Sequence, residues 1–141
     1  GNQDFLSFSA MMTAGLDEAF NVEPFKYPEY RLEFFHPPYL FRGPRPQIQA
    51  SPAAIHYGVP FVVHTPDAGS IATAAILRNG VVTHSFNMDQ RYTGLKITER
   101  SADTVTIEAP PNGNVAPPGQ YLLFLLDGDA VPSVGQFISV L

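Results

Sequence analysis

Prolines and glycines set the rhythm of this chain. From residue 31 to the C-terminus they recur so often that only short apolar and β-branched runs lie between them. Proline brings no backbone N–H to a ladder and fixes φ, while glycine reaches conformations closed to other residues. Both therefore interrupt regular elements rather than continue them. The pattern reads as short strands joined by turns. The 14 prolines and 11 glycines are about 18% of the 141 residues, below the roughly 25–30% that marks disorder. With 45% hydrophobic and 15% charged residues, they punctuate a chain able to build a core.

Individual runs carry the strand signal. Residues 31–35 precede His36-Pro37-Pro38, which cannot continue a central ladder. Residues 61–65, opened by Gly58-Val59-Pro60, and residues 70–77 are β-branched or apolar, and Asn79-Gly80 then supplies the strongest short turn signal in the chain. Leu95 and Ile97 alternate around Lys96. Residues 104–109 alternate cleanly, with Val105, Ile107 and Ala109 on one side and Thr104, Thr106 and Glu108 on the other, as a half-buried strand requires. Residues 110–119 are a loop by composition, residues 121–126 are apolar on both faces and predict a central strand, and residues 136–140 close the chain. About seven such strands predict an all-β sandwich of one domain over 31–141, since each sheet must bury one face against another. Tyr121, after Gly119-Gln120, is either a tyrosine corner or an ordinary aromatic at a strand start. Residues 1–30 lack this rhythm and form an N-terminal extension, where a short helix over about 10–20, capped by Ser9, is one reading.

Charge and residue content exclude several functions. The net charge is −5 and the two lysines, Lys26 and Lys96, are far apart, so no basic cluster exists for nucleic acid. No apolar run reaches the 18 residues of a membrane span. The N-terminus shows no signal-peptide pattern, although Gly1 in place of Met is compatible with processing. The absence of cysteine removes disulfides, thiolate nucleophiles and zinc–thiolate sites.

Three stretches in register carry a resemblance. They are Phe34-Phe35-His36-Pro37-Pro38-Tyr39-Leu40, then Thr83-His84-Ser85-Phe86-Asn87-Met88-Asp89-Gln90-Arg91, then Ala116-Pro117-Pro118-Gly119-Gln120-Tyr121-Leu122-Leu123-Phe124. In this order and spacing the chain resembles the C-terminal domain of galactose oxidase and of plant and fungal glyoxal oxidases. The resemblance implies an early-set, immunoglobulin-like sandwich packed on a kelch-type propeller of the same or another chain. It implies that a hairpin reaches into the propeller and offers one histidine to copper, the matching residue being His84. Gln90 and Arg91 would then anchor that hairpin. The implied chemistry is oxidation of an alcohol or aldehyde by oxygen with release of hydrogen peroxide, and the implied location is extracellular or cell-surface. The family's remaining copper ligands, a second histidine and two tyrosines, one crosslinked to a cysteine, lie on the propeller, and this chain has no cysteine. Alone it is expected to hold no cofactor and to have no catalytic residues.

Other candidates read more plainly. His36, His56 and His64 show no ligand spacing. Ser85, His84 and Asp89 can be drawn as a triad only by chance, without a strand-to-helix elbow. Asp127-Gly128-Asp129 reads as a turn rather than a calcium loop. Phe34, Phe35, Tyr39 and Phe41 read as an apolar seam or a carbohydrate platform. The rival to the accessory-domain reading is a carbohydrate- or protein-binding sandwich module without oxidase activity.

Overall fold

Eight strands form two facing sheets in a computed structural model that describes residues 35–84 and 86–141. Both the strand expected over 31–35 (except Phe35) and the helix expected over 10–20 lie outside the described residues. Phe35 itself is outside any strand, and after it Pro38–Phe41 form a 3-10 turn led by Pro37.

The larger sheet is assembled around the most apolar segment. Strand β9 (Gly119–Asp127) lies between β10 (Gln136–Val140) and β3 (Ile71–Arg78), both antiparallel to it. Edge strand β6 (Tyr92–Leu95) pairs antiparallel with β3, and β1 (Ala54–Ile55) runs parallel to β10 at the other edge. The smaller sheet places β8 (Thr104–Ile107) between β2 (Phe61–His64) and β7 (Ile97–Arg100).

Alternation decides what each sheet buries. Tyr121, Leu123 and Leu125 of β9 are inaccessible to solvent, as are Val63 of β2 and Val105 and Ile107 of β8, and all belong to one core cluster with Ile76 and Ile138. Each such side chain contributes about 1.5–3 kcal/mol through its removal from water. The fold is therefore the all-β, immunoglobulin-like sandwich expected. On the opposite face of β9, Phe124 lies against residue 135, where a Cβ would come within 2.8 Å of the ring. Glycine is needed there for close approach rather than for its dihedral freedom.

Two local expectations are corrected. Leu95 and Ile97 do not share a strand: Leu95 pairs with Ala74 in the larger sheet, Ile97 with Ile107 in the smaller one. Lys96 is the crossover, with its carbonyl accepting from the Glu108 N–H at 2.8 Å. Alternation survives the switch because both residues point toward the same core from different sheets. Arg100 also links the sheets, donating through Nε and Nη2 to the Ile71 carbonyl at 3.3 and 3.1 Å. The second correction concerns Asn79-Gly80, which is not a tight turn. Gly80 instead admits the Asn87 side chain, whose Nδ2 would stand 2.5 Å from a Cβ.

Tyr121 is a tyrosine corner. Its hydroxyl donates to the Pro117 carbonyl at 2.7 Å, four residues upstream, from the start of the central strand. The same 110–119 loop is held by Tyr57, whose hydroxyl donates to the Ala116 carbonyl at 2.7 Å. Asn112 Oδ1 turns the loop internally by accepting from the Asn114 and Val115 N–H groups. The sandwich comprises residues 37–79 and 89–141, and residues 80–88 belong to a separate compact unit.

Candidate functional site

The chain leaves β3 at Arg78 and returns to β6 at Tyr92, and between them lies a small hairpin. Its strands, β4 (Val82–Thr83) and β5 (Phe86–Asn87), pair antiparallel with Val82 opposite Asn87 and Thr83 opposite Phe86. His84 is thus the first loop position of a two-residue connection. Such loops require positive φ at that position to match strand twist, which favours glycine, asparagine and aspartate. His84 has a φ of 52°, in the left-handed region. For a residue with a Cβ that conformation costs about 1–2 kcal/mol.

The imidazole has a defined neighbour. Thr83 Oγ1 and His84 Nδ1 lie 2.8 Å apart, an interaction that orients the ring and leaves Nε2 as its second nitrogen. The rest of the hairpin is chemically quiet, with no charged residue among positions 79–88. Val81, Phe86 and Met88 are 57%, 60% and 69% exposed, an unusual apolar display for nine residues. The Met88 N–H donates to the Val81 carbonyl at 3.2 Å, and the Val81 N–H to Asn87 Oδ1 at 3.1 Å.

The stems belong to the sandwich. The Arg78 N–H donates to the Arg91 carbonyl at 3.0 Å, and Arg78 Nε donates to Asp89 Oδ2 at 2.9 Å. Arg91 Nη1 donates to the carbonyls of Asn114 and Val115, at 3.2 and 3.0 Å. Arg91 therefore ties the returning stem to the 110–119 loop, whereas Gln90 is exposed beside it. Arg78 was not singled out by sequence reasoning, because one arginine ending an apolar strand looks like a solvated charge.

A model of the galactose oxidase-like early set domain matches residues 45–140. The chain belongs to that family. It is similar to a galactose oxidase of Gibberella zeae, 32% identical over 117 residues covering 79% of this chain and 17% of that protein. An aldehyde oxidase of Arabidopsis thaliana is 39% identical over 137 residues, covering 86% of this chain and 22% of the other. Among solved structures, a fungal alcohol oxidase of the AA5 family in complex with copper superposes with a TM-score of 0.70 at 35% identity. That match covers 76% of this chain and 24% of the oxidase. This early set domain therefore spans less than a quarter of each of these proteins.

The donor chemistry of the domain has a clear limit. Among the described residues no group of three or more histidines or carboxylates could hold a metal ion. An imidazole suits copper as one ligand, and His84 alone cannot complete a coordination sphere. His36, His56 and His64 are exposed, His64 on the outward-facing positions of β2. Ser85 lies outside the described residues, and Asp89 is engaged by Arg78, so the chance triad gains no support. Asp127 Oδ1 accepts from the N–H groups of Asp129 and Val131 at 3.0 and 2.8 Å, which makes the Asp-Gly-Asp segment a turn. Tyr39 and Phe41 are exposed on the 3-10 turn, Phe35 is exposed, and Phe34 lies outside the described residues. No helix among the described residues is long and apolar enough to cross a membrane.

Proposed function

We propose that this early set domain is the accessory C-terminal part of a copper-containing alcohol or aldehyde oxidase. In that role it packs on a kelch-type propeller and presents His84 as one copper ligand. The observation that carries the reading is the histidine held at positive φ on an uncharged hairpin with exposed apolar flanks. A strained position occupied by a metal-binding side chain is where function is expected to override local preference. Apolar flanks suit burial in a partner rather than contact with water.

This chain's own contribution is binding and orientation. The Thr83 hydroxyl steadies the ring through Nδ1, so Nε2 is the nitrogen offered to a metal. Copper, when bound, supplies a Lewis-acidic centre for the substrate oxygen and a one-electron redox partner. The net reaction moves a pair of hydrogens with their electrons from the substrate alcohol, or hydrated aldehyde, to dioxygen. The products are the aldehyde or acid and hydrogen peroxide. An extracellular location belongs to the same reading.

The test is made on the complete protein that carries this domain. Peroxide release from small alcohols and aldehydes, measured with and without the His84→Ala change, is expected to fall to background in the variant. Full activity in the variant would remove His84 from the site. The exposed Tyr39 and Phe41 favour a second reading, a carbohydrate-binding module. A complete protein with no oxidase activity that is retained on a polysaccharide, and loses retention in Phe41→Ala, would establish that alternative.

A further inference from the structure

The stems that carry His84 converge on one side chain. Arg78 ends β3, and its partly exposed guanidinium makes its shortest bond, at 2.9 Å, to Asp89 on the returning stem. Its Nη1 reaches the Pro117 carbonyl at 3.5 Å, the same oxygen that accepts the Tyr121 hydroxyl at 2.7 Å. Its Cζ lies over the Tyr121 ring, 5.8 Å from the centroid, within cation–π range. Residue 119 passes beside the guanidinium at a φ of 143°, a backbone conformation that side-chain-bearing residues rarely adopt, and even a Cβ there would meet Nη2 only in ordinary contact at 3.6 Å. The Arg78 main chain meanwhile bonds to Arg91, and Asn79 N–H donates to the Gln120 carbonyl at 3.1 Å.

We infer that Arg78 is a positioning residue: with Asp89 it clamps both stems of the His84 connection to the tyrosine corner. This deepens the functional reading and rests on it only for the purpose of the clamp. A planar guanidinium is suited to the task, because it can bond a carboxylate, reach a carbonyl and lie on an aromatic face together. Lysine can keep the charge but not the fork, so the clamp distinguishes the two cations.

Backbone order read by nitrogen-15 relaxation on the 141-residue chain tests the clamp without any metal. In the wild type, the stem residues 79 and 89–91 are expected near the rigid value of about 0.85, and in Arg78→Gln these stems are expected to drop below about 0.6. The amides of Leu123, Leu125 and Ile138 should keep wild-type order, and Arg78→Lys should recover part of the loss. A general structural role would instead lower order throughout or only shift the melting temperature. Asp89→Asn breaks the same pair outside the strands and should give the same confined loss if Arg78→Gln fails to fold. Unchanged order in Asp89→Asn, or stems already mobile in the wild type, overturns the clamp. His84→Ala should leave the order of the stem residues intact, so failure of the copper reading and failure of the clamp produce different results.

Discussion

A histidine at a φ of 52° occupies a hairpin position where glycine or asparagine is the easier choice. Replacing it tests whether the position was kept for its imidazole. In the 141-residue chain, His84→Gly relieves about 1–2 kcal/mol of local strain, offset in part by the greater freedom of glycine when unfolded. Thermal melts should therefore show the variant at least as stable as wild type. A clearly lower melting temperature would mean that His84 serves the fold. Tyr121→Phe is the contrasting case: it removes the hydroxyl from the Pro117 carbonyl and should cost about 0.5–1.5 kcal/mol by denaturant titration. An unchanged midpoint would deny the corner its role. The His84 residue type was legible through its surrounding motif. Its place on a hairpin came from the resemblance rather than from local turn chemistry, because Asn79-Gly80 is the stronger turn signal, and its glycine is used to admit Asn87 instead.

At the scale of elements, period-2 alternation located β8 and the apolar content of residues 121–126 located β9 as the central strand, since both properties depend only on which face is buried. Connectivity was less visible. Leu95 and Ile97 keep their alternation across a change of sheet, and nothing local at Lys96 announces the corner, which depends on the distant Glu108 N–H. Strand β1 has only Ala54 and Ile55 and no pattern of its own, being defined by its parallel partner β10. Packing between the β9–β10 connection and β9 makes a sharp prediction. Gly135→Ala pushes a methyl against Phe124 and should destabilise the domain by about 1–3 kcal/mol. The added Phe124→Leu change, by shrinking the ring side, should recover part of that loss in the same denaturant experiment. Equal stability of Gly135→Ala and wild type would show that the ring moves aside freely.

For the whole molecule, one core is shared by both sheets, so the sandwich should unfold as a unit. Leu123→Ala, at the centre of that core, should cost about 2–5 kcal/mol with a single transition by circular dichroism and fluorescence alike. Separate transitions would mean that the sheets are independent. Kinship was legible because three motifs recur in register, and the propeller partner that the same resemblance implies would lie outside a domain that spans less than a quarter of its relatives' length. Metal analysis therefore belongs on the complete protein, comparing wild type with His84→Gly. The account predicts stoichiometric copper in the wild type and almost none in the variant, at undiminished thermal stability. Copper retained in full by His84→Gly would contradict it.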